Sequence, residues 1–141
     1  MANTVMTSFK KELMEGTHDL ATSGDTFKLA LYTSSSSINS AATTIYTTSD
    51  EVGNSGTYAA GGGTLAGQTV TTDGTTAICN FTDLEFTSAT INARYALIYN
   101  SSESNAAVCV LDFSTDQIST AGTCKIDFPA SGASTSIIRV A

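Results

Sequence analysis

The sequence has no tryptophan, one proline, one histidine and only six basic residues in 141. Each shortage removes a class of function. Six Lys and Arg against thirteen Asp and Glu leave a net charge of −7. Such a chain repels phosphate backbones, because nucleic-acid affinity depends on basic side chains displacing counterions. Lys10, Lys11, Lys28, Arg94, Lys125 and Arg139 are scattered and make no basic stripe. Neither nucleic acid nor a membrane is therefore expected as a partner. The longest wholly apolar run, Ala106 to Leu111, has six residues, against roughly 20 for a spanning helix. Met1 to Glu15 contains four charged residues and no apolar core, so no secretory signal is expected.

The catalytic inventory is thin. His18 stands beside Asp19 in a linker and is read as a solvated loop residue. Serines are plentiful, but no G-x-S-x-G elbow exists to present one as a nucleophile. Cys79, Cys109 and Cys124 are odd in number, widely spaced and set in apolar or alternating stretches. They read as buried small hydrophobes rather than zinc ligands, which come in close pairs. A disulfide between two of them, stranding the third, is the minor alternative. Asp50-Glu51, Asp83 with Glu85, and Asp112 with Asp116 are the acidic pairs that could meet at a calcium ion, yet no D-x-D-x-D-G loop is present. Gly61-Gly62-Gly63 lacks the following Lys of a phosphate loop and reads as flexible backbone or a bulge. The expectation is a protein that is not an enzyme, with no cofactor and no metal.

Threonine (24) and serine (18) are what the sequence has in abundance. With β-branched residues plentiful, this favours strands over a helical bundle. One helix is expected near the start, where Met6, Phe9 and Leu13 recur at helical spacing, Thr7 or Ser8 can cap, and Gly16 can stop it. Residues 1–25 are read as a helical arm and linker, and 26–141 as a β domain. Phe27, Leu29 and Leu31 alternate with Lys28, Ala30 and Tyr32 as a half-buried strand, and Thr43 to Thr48 reads as a short one. Asp73-Gly74 signals a hairpin between Thr69 to Thr72 and Thr75 to Asp83. Arg94 to Asn100 and Ala106 to Phe113 do not alternate, so they read as central strands joined by Ser101 to Asn105. Cys124, Ile126 and Phe128 alternate up to Pro129, and Ser136 to Val140 makes a last strand. The sum is an all-β, antiparallel sandwich or jelly roll of about eight or nine short strands with a short N-terminal helix. Thr-rich strands bury little, and low charge protects edges poorly, so a homo-oligomer is expected.

Several segments resemble a family of small tailed-bacteriophage virion structural proteins. They are the runs Phe27 to Thr33, Tyr46 to Val52, Ala93 to Asn100 and Ala107 to Phe113, followed by an Ala121-Gly122-Thr123 turn and Phe128-Pro129-Ala130. The resemblance covers Phe27 to Val140 and implies a capsid cement (decoration) protein on the outer surface of the virion head. Its partner would be the major capsid protein, with neighbouring subunits bridged, commonly by a trimer. Met6, Phe9 and Leu13 are the candidate capsid or intersubunit contacts. Deleting residues 1 to 16 is then expected to abolish capsid binding without unfolding the β domain. The competing role is a tail or fibre component that binds a host receptor through Ser34 to Ser40 and Ser49 to Gly67, with Tyr58 stacking on a glycan.

Overall fold

The computed structural model describes residues 3–141, so the first two residues of the expected arm lie outside it. The order is β1 (Thr4–Val5), α1 (Thr7–Met14), β2 (Phe27–Tyr32), β3 (Gly63–Thr64), β4 (Thr69–Asp73), β5 (Thr76–Asn80), β6 (Leu84–Asn100), β7 (Ala106–Ile126) and β8 (Ile138–Val140). Two antiparallel sheets result, one ordered β1-β7-β6-β2-β3 and the other β4-β5-β8. Cys79 and Ile138 from the small sheet enter the same buried cluster as Leu29, Leu97 and Val110 from the large one. The chain is thus an all-β, sandwich-like fold with one short helix.

The central pair matches its pattern. From Tyr95 to Asn100 and from Ala107 to Leu111 every residue is buried, because β6 lies between β2 and β7 and both faces are covered. The loop joining them, Ser101 to Asn105, closes with positive φ at Ser104 and Asn105. The strands are not all short, however. β6 runs 17 residues and β7 runs 21, so the segment expected to turn at Ala121-Gly122-Thr123 continues as strand. A β-bulge replaces the turn. Between the pairs Ala89↔Gly122 and Ile91↔Ser119, β7 has one residue more than β6, and Ala121 takes φ 47°. A larger excursion in β7 separates Ala93↔Gln117 from Tyr95↔Asp112, with Ser114 at φ 67°.

Other boundaries also move. Thr43 to Thr48 is not a strand; Ile45 makes only an isolated bridge to Ala106. The small hairpin turns at Gly74-Thr75, one position beyond Asp73-Gly74, because Asp73 pairs with Thr76. Gly62 has a structural reason to be glycine. Its φ is 77°, and a Cβ there would meet the Leu29 carbonyl oxygen at 1.8 Å.

Helix α1 starts without a side-chain cap, since Met6 occupies the N-cap and Thr7 and Ser8 lie inside the first turn. Tertiary partners replace the cap: Met6 N–H donates to the Val108 carbonyl (2.9 Å) and Thr7 N–H to the Ala41 carbonyl (3.0 Å). At the other end Gly16, at φ 75°, donates to Leu13, and Thr17 donates to Glu12. That pairing satisfies two of the last carbonyls in a Schellman motif.

Candidate functional site

The three side chains expected at a partner contact point into the chain's own core. Met6 is 0% and Phe9 1% exposed, and Leu13 is half-buried against the same cluster. β1 adds to the large sheet, with Thr4 opposite Val110 and Val5 opposite Cys109. A helix this short is unstable alone, so its apolar stripe must dock, and it docks at home. Neither Met6 nor Phe9 is offered to a partner in this conformation. Deleting residues 1 to 16 would therefore remove part of the core, and this burial argues against a β domain that survives the deletion.

His18 is also displaced from its expected role. Its side chain is fully covered rather than solvated. One ring nitrogen, Nε2, meets Glu12 Oε2 at 2.7 Å, and the other, Nδ1, meets Asn100 Nδ2 at 2.9 Å. Asn100 in turn donates to Asp25 (2.8 Å) and accepts from the Ser102 N–H (3.0 Å). That fixes the amide orientation, so Nδ1 accepts and Nε2 carries the proton toward Glu12. With both nitrogens occupied, the imidazole has no lone pair to offer a substrate. The network ties α1, the linker and the end of β6 together.

A second polar cluster organises the long loop before β3. Glu51 accepts from Tyr46 Oη (2.6 Å), Tyr58 Oη (2.8 Å) and the Gly61 N–H (2.7 Å). Tyr46 stacks on Tyr99 with ring centroids 4.7 Å apart, and Tyr99 Oη donates to the Gly61 carbonyl. Burial pushes the Tyr99 phenol up to about 12, and burial together with Glu51 raises those of Tyr46 and Tyr58 further. Tyr58 is 1% exposed and its ring packs on Phe86, so it cannot stack on a glycan. The cluster is a clasp that holds a loop.

The accessible chemistry lies instead on the outer half of the long hairpin, Leu84 to Ala93 with Ser114 to Ile126. On its β6 side the backbone is covered. Thr57 N–H donates to the Thr87 carbonyl, Thr87 N–H returns to Thr57 Oγ1, and Thr90 N–H donates to Ser55 Oγ. On the β7 side, Phe113 to Ile126 pairs only with β6 among the described residues. Ser114 to Ile118 is exposed throughout, and Ile118 shows 72% of its surface. Beside this edge runs an open groove of about 450 Å³ whose lining includes Leu111, Phe113, Ile118, Cys124, Ile126 and Phe128.

Charges frame the groove without filling it. Arg94 Nε donates to Asp112 Oδ1 at 2.7 Å and holds that carboxyl well below the usual range. Lys125 bridges Asp83 (3.3 Å) and Asp127 (2.8 Å). The acidic pairs weighed for calcium do not converge: no three His, Cys, Asp or Glu side chains are grouped to hold a metal among the described residues. All three cysteines are free thiols, with Cys79 and Cys109 buried and Cys124 half-buried at the groove. No helix among the described residues is long and apolar enough to cross a membrane. Reading by pattern missed this surface because Ala121-Gly122-Thr123 looks like a turn. The available signal was Ile118, a lone aliphatic in a polar run.

Comparison with protein-family models, with curated proteins and with solved structures finds no match to this chain.

Proposed function

We propose that this chain is a capsid cement protein of a tailed bacteriophage. It would bind the outside of the head as a homo-oligomer and bridge neighbouring major capsid subunits, without catalysing a reaction. The observation that supports this reading is the outer half of the β6–β7 hairpin. It combines a strand edge that pairs with nothing but β6 among the described residues, an exposed isoleucine and an open groove lined by both apolar and polar side chains. Open edges and grooves suit protein partners, which supply strand hydrogen bonds and apolar side chains together. Several weak capsid contacts on one oligomer add through effective concentration. The sequence resemblance to virion structural proteins points the same way.

Gold-labelled antibody imaging of virions from the encoding phage tests the proposal. Label spread evenly over the head is expected. Label confined to the tail would replace this reading by the receptor-binding one, and unlabelled intact particles would overturn both.

A further inference from the structure

Taking the self-association in that reading as given, we infer that the outer edge of β7 is where two copies of this chain meet, in antiparallel register about a two-fold axis between Thr120 and Ala121. The argument starts from which way each residue faces. Gln117 and Ser119 pair with the buried Ala93 and Ile91, so they share the inward face, whereas Ile118 pairs with the exposed Asn92 and faces out. Across the bulge at Ala121 the alternation inverts. Gly122 and Cys124 pair with buried Ala89 and Phe86, and Lys125 pairs with exposed Glu85 and faces out.

An antiparallel pair must set outward residues against outward residues. A regular strand meets this condition with the axis on a residue; a strand with one inserted residue meets it with the axis between two. The bulge thus permits Ile118 opposite Thr123, Gln117 opposite Cys124, and Asp116 opposite Lys125, each occurring twice. Charge selects this register among its neighbours. Sliding one way sets Asp116 against Asp127, and sliding the other way leaves Asp116 and Lys125 against uncharged residues.

Charge also favours a second copy as the occupant. Two molecules of net charge −7 approach at least cost where charge is sparse. Phe113 to Cys124 carries a single ionisable carboxylate, Asp116. Lys125 already holds Asp83 and Asp127, so the new ion pair steers register more than it adds affinity. Asp116 to Lys125 spans about 26 Å of strand, a small interface, so association in the micromolar range is expected. The contact is isologous and closes at two rather than three.

Gln117→Cys tests the register directly, because Cys124 is already present. Within one molecule the two positions lie about 20 Å apart along β7, far beyond the ~7 Å a disulfide allows between Cα atoms. At tens of micromolar, with copper–phenanthroline passing the electrons to dioxygen, the Gln117→Cys chain should run as a covalent dimer on a non-reducing gel. Adding Cys124→Ser should abolish that band. Asp116→Lys should raise the dimer dissociation constant about tenfold, through two lost pairs, and Asp116→Lys with Lys125→Asp should reverse most of the loss. A monomer or a trimer by light scattering, or a folded Gln117→Cys chain that does not cross-link, would overturn the pairing. A cross-linked dimer that fails to sediment with capsids keeps the pairing and removes the cement reading. Capsid binding by a chain that never cross-links does the reverse.

Discussion

The same two strands build the most enclosed and the most open parts of this molecule. In the inner half of the hairpin, Tyr95 to Asn100 pairs with Ala106 to Asp112, flanked by β2 and β1, and the backbone is regular apart from one extra residue in β7 near Val108. In the outer half, Leu84 to Ala93 pairs with Gln117 to Ile126, the far side of β7 meets no strand among the described residues, and two bulges interrupt the ladder. Strand propensity alone does not separate them. What differs is whether other elements cover the faces, and this decides which half carries stability and which stays exposed.

The contrast is broken most strongly from the inner half. Deleting residues 1 to 16 strips Met6 and Phe9 from the core that covers this half, and loss of the cooperative unfolding transition is expected by circular dichroism. Phe9→Ala alone should cost about 3–5 kcal/mol and Leu97→Ala about 2–5 kcal/mol in denaturant melts. Ile118→Ala, in the outer half, should stay within about 0.5 kcal/mol. An Ile118→Ala variant as damaging as Leu97→Ala would erase the distinction.

Two cysteines on one strand report the same difference chemically. Burial pushes the Cys109 thiol up to about 12, aided by nearby Cys79, which burial raises to about 11. Cys124 is raised by burial too but is only half-covered. A thiol reagent at pH 8 should label Cys124 first, and should reach Cys79 and Cys109 only as the protein unfolds. Mass spectrometry of labelled peptides gives the order.

The junction between the halves should titrate. Arg94 depresses the Asp112 carboxyl in the folded state, so its contribution is complete above the unfolded value of about 4 and fades as pH falls below it. Asp112→Asn should therefore flatten the acid limb of a stability–pH profile and leave its slope near neutrality unchanged. An effect of opposite sign belongs to the bulge. Ala121→Gly relieves a non-glycine residue at φ 47° and should stabilise by about 0.5–1 kcal/mol, read as a shift in the denaturant midpoint.

The inner half was legible because burial on both faces writes itself as unbroken apolar runs, Tyr95-Ala96-Leu97-Ile98-Tyr99 and Val108-Cys109-Val110-Leu111. Gly16 likewise announces the end of α1. The outer half was not legible, because Ser114 to Thr123 has the small and polar composition of a loop and is strand only through its ladder with β6. His18 and Tyr58 misled for a related reason. Each is a polar side chain whose burial depends on partners remote in sequence, Asn100 for one and Leu31 for the other.

By itself, then, the sequence determined the class of the fold, the central strand pair and the amphipathic helix, since alternation, β-branching and apolar runs act over a few neighbouring residues. The tertiary structure alone decided that the helix faces inward, that His18 is enclosed and that a polar stretch becomes the open edge of a 21-residue strand. Those outcomes depend on which surfaces meet across the fold, and burial of a face is a property of the pair that meets.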